Sequence, residues 1–287
     1  MNKPSESLLT SVIIVSRDSG EALYHTVSSV LRQTAPVELV IVNNGNPEAV
    51  ENRLAALAKG DPRVQLVTGH GNAGYAKGNN LGAQVARGDY FLFLGPELSL
   101  PPDAISRLQK LAQQSKGMVV LGARLLDEKG KDLPEARQKI ISPLEAFVDF
   151  LGVSRFFPKF ALDLHKTPLP QSPEQVPAVS GLFLFVSAID FKRLKRFDEG
   201  YATVLAAMDF CLKVRRAEGK IYFVPSIQVK GKETTSVRKA LFSEEPGLKD
   251  AGRYFYENFS YTYPQPILWL LYVVTWFKRF IFSRLIK

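Results

Sequence analysis

The feature that most constrains this chain is an alternation over residues 1–100. Short apolar runs at Leu9–Val15, Val37–Val42, Val64–Thr68 and Tyr90–Leu94 are separated by segments of helical spacing. The first two runs are rich in β-branched residues, and such runs between turn signals read as buried strands. Glu21–Gln33 carries Ala22, Leu23, Val27, Val30 and Leu31 on one helix face. Tyr75–Ala86 reads as a helix too, and Pro47 suits the first turn of another capped by Asn46. Strand and helix in alternation define an α/β fold, a mostly parallel sheet with helices on both faces. Ligands of such sheets bind beyond the carboxyl ends of the strands. Functional residues are therefore expected just after Val15, Val42, Thr68 and Leu94.

The remainder is less regular. It predicts helices at Pro102–Gln114, Pro143–Leu151 and Ala206–Ala217, and strands at Met118–Leu126, Gly181–Ala188 and Ile221–Val224, the last closing at Pro225. Between them, Asp127–Pro177 is rich in Pro, Lys and Phe and reads as a long loop region. With 46% apolar and 23% charged residues in 287, the chain is globular, which excludes disordered and collagen-like architectures. The lone Cys211 excludes an internal disulfide and a cysteine zinc site, and fits a reducing compartment. Leu8–Val15 is too short for a secretory signal, and no segment reaches the ~20 apolar residues of a spanning helix. A net charge of +9 points to phosphate-bearing partners. No nucleic-acid-binding motif accompanies it, so nucleic acid is not expected.

Four blocks fall at the anticipated places: SVIIVSRDSG (11–20), VELVIVNNGNPE (37–48), GNAGYAKGNNLGAQVARGDYFLFLGPEL (71–98) and FDEGYATVLAAMDFCLKVRRAEG (197–219). Gly74, Gly78 and Gly82 permit tight turns and close approach of backbone to a ligand. Asn72, Asn79 and Asn80 both donate and accept, and Lys77 is a counter-charge for phosphate. On these blocks the chain resembles the family 2 glycosyltransferases, specifically the rhamnosyltransferase-like branch that builds bacterial surface polysaccharides, over about residues 9–236. The resemblance implies a glycosyltransferase-A fold, a Rossmann-like domain over 8–237 with a nucleotide-binding half at 8–100 and an acceptor half at 101–237. It implies a nucleotide diphosphate sugar as donor, a glycan or lipid-linked acceptor, and inverting direct displacement. Donor contacts are implied at Ser16, Asp18, Asn43, Asn72, Gly74, Lys77, Gly78 and Asn79.

The chain departs from the family pattern at the positions that carry chemistry. Asn43 stands where the family has a nucleoside-contacting Asp, and Arg17 interrupts a Thr-Tyr-Asn type sequence. Leu94-Gly95-Pro96-Glu97 replaces Leu-Asn-Pro-Asp, whose Asp holds the metal; Glu97 remains a hard oxygen ligand for Mg²⁺ or Mn²⁺. Ala206 and Ala207 occupy an acidic pair whose second member is the general base. Asp209 survives, yet two residues along a helix rotate a side chain by about 200° from that position. Asp209, Asp198 and Glu199 are therefore the acids left as catalytic candidates. Gly231 replaces a His that is often a metal ligand, and Lys230 and Lys232 flank it as counter-charges for a diphosphate. His25, His70 and His165 match no metal position. Two readings stay open: a transferase with an altered centre, or an inactive homologue that binds glycan or nucleotide as a scaffold.

From Pro264 the chain reads PQPILWLLYVVTWFKRFIFSRLIK. Its aromatics and cations suit an amphipathic helical tail at a membrane interface, with 238–287 as a membrane-associating segment and 264–287 on an anionic surface. A buried helix or an oligomer face is the alternative. The expected location is the cytoplasmic face of the inner membrane, as a peripheral protein.

Overall fold

The computed structural model describes residues 8–150, 164, 167–231, 245–264 and 266. The first part alternates as expected: β1 (Thr10–Ser16), α1 (Ala22–Leu31), β2 (Val37–Asn43), α2 (Glu48–Gly60), β3 (Val64–Val67), α3 (Gly74–Val85) and β4 (Tyr90–Leu94). Then follow β5 (Leu98–Ser99), α4 (Ala104–Gln114), β6 (Val119–Leu126), β7 (Arg137–Gln138), α5 (Pro143–Phe150), β8 (Glu174–Gln175) and β9 (Ala178–Val179). The last elements are β10 (Phe183–Ser187), α6 (Ala188–Arg193), α7 (Leu205–Arg216), β11 (Lys220–Gly231) and α8 (Glu245–Phe259).

The main sheet runs β3-β2-β1-β4-β10-β6-β11-β5, with β8 against β11, while β7 and β9 pair separately. β1 through β4 are mutually parallel, and β11 lies parallel to β6. β10 runs antiparallel to both of its neighbours and sets Phe183 opposite Leu94. That reversal matters for the site, because the loop entering β10 arrives at the carboxyl end of β4. Val12–Ile14, Leu39–Val42 and Phe91–Leu94 are buried, as helix cover on both faces requires. α3 sits directly on this layer. A Cβ at Gly82 would lie 2.5 Å from the Ile13 side chain, and one at Gly78 would lie 2.9 Å from Val15. Gly78, expected to approach phosphate, instead lets α3 approach β1.

Other sequence expectations are corrected. β11 does not close at Pro225. The strand absorbs the proline in a register shift between Val224 and Gln228 and continues to Gly231, which pairs with Leu98. Asn46 does not cap α2, which starts after Pro47 without a side-chain cap. Its amide works across loops, as described below.

One further element follows the expected boundary at 237. α8 falls inside 238–287, yet it is a domain helix: Leu248, Ala251, Tyr254 and Phe255 are buried, and Asn258 donates to Asp209 of α7 at 3.1 Å. The apolar face of α8 is thus committed to α7. The rest of the expected membrane tail, 267–287, lies outside the described residues, as do His165 and Lys232. No described helix is long and apolar enough to cross a membrane.

Candidate functional site

A cleft of about 290 Å³ opens at the carboxyl end of the parallel strands. Val15, Arg17 and Ser19 reach it from β1 and the turn that follows, and Asn44 from the end of β2. Asn72, Gly74, Tyr75 and Asn79 come from the approach to α3 and its first turns. Leu94-Gly95-Pro96-Glu97 closes it beyond β4, and Gly181, Leu182, Ala202, Thr203 and Val204 form the opposite wall.

An asparagine network shapes the first side. The Asn46 amide donates to the Ser16 carbonyl at 2.8 Å and to Asn43 Oδ1 at 2.8 Å, and its Oδ1 accepts from the Asp18 N–H at 2.8 Å. Asn43 Nδ2 donates to Thr68 Oγ1 at 3.1 Å, which ties the loop after β3 to the same hub. Asn44 Oδ1 accepts from the Ala73 N–H at 2.8 Å, and its amide donates to Asn72 Oδ1 at 3.1 Å. Buried loop polar groups have to find partners, and here short amides from three strand ends satisfy one another. Asp18 sits at φ 52°, a left-handed conformation that Asp tolerates better than most residues.

The opposite wall is held from behind. The Asp250 carboxylate of α8 accepts from the Thr203 N–H and hydroxyl, each at 2.7 Å, and from the Ala202 N–H at 3.2 Å. Ala202 in turn accepts from the Tyr75 N–H at 2.8 Å, and the Tyr75 hydroxyl donates to the Gly181 carbonyl at 2.6 Å. Burial pushes the Tyr75 phenol far above its ordinary range, so it stays a neutral donor.

The predicted donor residues divide. Asn72, Gly74 and Asn79 line the cleft. Ser16 and Asn43 are buried beneath it as supports, Asp18 is an exposed turn residue, and Lys77 is exposed on α3; none of these lines it. Arg17, Ser19, Asn44 and Tyr75 line it without having been assigned a role. Arg17 was visible as a departure from the family pattern. The wall at 181–182 and 202–204 left no sequence signal, because its position depends on the reversal of β10 and on α8.

None of the three catalytic candidates lines the cleft. Asp209 is buried between α7 and α8, where Lys213 lies 2.9 Å away and Asn258 donates to it. Asp198 caps the Gly200 N–H at 2.8 Å and pairs with Arg253 at 2.9 Å. Glu199 is exposed and accepts from Asn80 at 3.1 Å. These are structural acids, turned away from the cleft by the helical rotation and by the turn before Tyr201. Ala206 and Ala207 are both buried, and a Cβ at Gly181 would lie 2.8 Å from that of Ala207. The Ala207 side chain thus packs close against Gly181.

Glu97 does line the cleft, at the position the resemblance implies for a metal ligand. The remaining donor set does not fit a protein-held cation. Among the described residues no group of three or more His, Cys, Asp or Glu converges. At Gly231, where the family has a His, a Cβ would run into the carbonyl of Glu97 and lie 2.8 Å from Leu98 Cδ2. The backbones of β5 and β11 have closed over that side-chain position.

Comparison with solved structures defines the class. GalNAc-T7 with UDP, GalNAc and Mn²⁺ superposes with a TM-score of 0.61 at 16% identity, covering 87% of this chain and 51% of that one. Staphylococcus aureus TarS 1–349 superposes with a TM-score of 0.58 at 12% identity, covering 96% and 73%. At such identities the likeness is one of fold, and the fold is that of the glycosyltransferase-A α/β enzymes. The family model for glycosyl transferase family 2 matches residues 11–166, and the chain belongs to that family. Rhamnosyltransferase WbbL of Escherichia coli K12 is 23% identical over 223 residues, covering 66% of this chain and 81% of WbbL. Poly(ribitol-phosphate) β-N-acetylglucosaminyltransferase TarP of Staphylococcus aureus N315 is 30% identical over 133 residues, covering 44% and 39%. The chain thus spans most of WbbL but well under half of TarP.

Proposed function

We propose that this chain moves a sugar from a nucleoside diphosphate donor to a hydroxyl of a lipid-linked or cell-surface polysaccharide. The observation that carries the reading is the cleft itself, lined by Arg17, Asn44, Asn72 and Asn79 where nucleotide ligands of doubly wound sheets bind. WbbL, named a rhamnosyltransferase, supports sugar transfer, and TarP, named for poly(ribitol-phosphate), supports a polymeric acceptor.

In this reading the asparagine amides orient the nucleoside and diphosphate, and the 202–204 wall borders the space for the acceptor. The acceptor oxygen bonds to the anomeric carbon as the bond from that carbon to phosphate breaks. The nucleoside diphosphate leaves with the electron pair, and the acceptor proton passes to a base. Among the described residues Glu97 is the carboxylate that lines the cleft, so it is the group placed to take that proton. Membrane association through 264–287 would bring the domain to a lipid-linked acceptor at the cytoplasmic face of the inner membrane. Sedimentation with anionic vesicles, with and without 264–287, tests that part.

A second reading, a binding or scaffold homologue without turnover, is favoured by the buried Ala206–Ala207 pair. Release of UDP or dTDP from labelled nucleotide sugars, in the presence of lipid-linked glycan acceptors, separates the two. Turnover that disappears in Glu97→Gln supports the transferase. Absence of turnover, with or without nucleotide binding, supports the scaffold, and absence of nucleotide binding overturns the donor-site reading.

A further inference from the structure

Resting on the donor-site reading above, we propose that the cleft takes the donor diphosphate without a divalent cation, with the Arg17 guanidinium as its counter-charge. Two independent observations lead here. The first is the closure at Gly231. The resemblance implies a second metal ligand at position 231, and there the Glu97 carbonyl already lies where a side chain would begin. Such a ligand set is therefore foreclosed by backbone packing, and not by the choice of side chain alone.

The second is the placement of Arg17. Among the described cleft-lining residues it is the cation, whereas Lys77 and Lys230 are exposed elsewhere on the surface. Its backbone is anchored on both sides: the Ser16 carbonyl accepts from Asn46, and the next N–H, that of Asp18, donates to the same side chain. Its guanidinium keeps a loose contact, 3.9 Å, with Asp18, and both side chains are largely solvated, at 59% and 70% exposure. An exposed pair of that length holds the group weakly. A guanidinium presents a planar fork that matches two phosphate oxygens at once and never loses its charge near neutral pH. Diphosphate would thus exchange a weak solvated contact for a paired one.

The test is calorimetric titration of the full chain with UDP and with dTDP, first in EDTA and then with Mn²⁺ or Mg²⁺. It is run on the native chain, Arg17→Ala, Arg17→Lys and Glu97→Gln. Arg17 is solvated and carries no core packing, so melting curves of its variants should overlay the native curve. The expected result is an affinity within about twofold between EDTA and Mn²⁺, as a site whose counter-charge is the Arg17 guanidinium requires. Arg17→Ala should weaken binding about tenfold or more, the scale of one charge-assisted contact to phosphate, and Arg17→Lys should restore part of it. Binding that needs Mn²⁺ and is lost in Glu97→Gln, with Arg17→Ala unaffected, would overturn the inference and leave the donor site standing. Absence of nucleotide binding in every condition would overturn the donor-site reading, and this inference with it.

Discussion

The two sides of the cleft are built on different principles. On the β1–β2–α3 side, Asn43, Asn44, Asn46 and Asn72 satisfy one another across short loops, and polar groups reach the opening. On the far side, Gly181, Ala202 and Val204 present little polar surface, and the support comes from Asp250 behind the wall. The near side is a polar lattice, and behind the far side Ala206 and Ala207 are buried where the resemblance implies acids.

The largest expected effect breaks that contrast directly. Ala207→Asp would bury a carboxylate against Gly181, where the nearby Tyr75 hydroxyl is already committed to the Gly181 carbonyl, costing about 3–5 kcal/mol as other poorly paired buried charges do. The variant should unfold at a markedly lower temperature and gain no turnover; a stable, newly active Ala207→Asp would show that the wall can open. Asp250→Ala ranks next. It strips acceptors from the buried Thr203 N–H and the part-buried Ala202 N–H and should cost about 2–4 kcal/mol, with Asp250→Asn losing roughly half as much. Urea unfolding of the pair reads this.

Gly231→Ala should cost about 1–3 kcal/mol by overpacking against the Glu97 backbone, read as a lowered melting temperature. An unchanged melting point would mean that β11 yields there and that a ligand side chain is permitted after all.

A smaller effect concerns pH. Burial raises the Glu38 carboxyl, but hydrogen bonds from Ser11 and Arg87 and the Arg87 charge outweigh it, leaving its pKa below the ordinary glutamate value. A depressed folded-state pKa adds stability above the unfolded value and loses it as pH falls through the folded one. The urea midpoint should therefore drop as pH falls through and below the ordinary glutamate range, and Glu38→Gln should flatten that dependence. The smallest effect is at Cys211, whose thiol burial pushes up to about 12. It should resist thiol reagents at neutral pH until the chain unfolds, then react fully.

Sequence patterning carried the first half of the fold well. The expected strand over Tyr90–Leu94 matches β4, and the other early elements agree within a few residues. Local periodicity and turn chemistry suffice where neighbours in the chain are neighbours in the sheet. They failed at Pro225, where a bulge carries the strand onward, and they did not single out α8, which docks on α7. An apolar helix face reads alike whether a membrane or another helix covers it.

The site shows the same division. Asn72, Gly74, Asn79 and Glu97 were legible because they follow strands or open a helix, and strand ends are where such folds bind. Asn43 and Ser16 lie in the same motifs but turn inward, which only the hydrogen-bond geometry of Asn46 decides. By itself the sequence determined the family and the parallel sheet. Tertiary structure decided that Arg17 faces the cleft, that Asp209 belongs to a helix interface and that Gly231 is closed to a side chain. The physical reason is range: periodicity and turn chemistry act within one element, whereas the space beside a residue is set by backbones far along the chain.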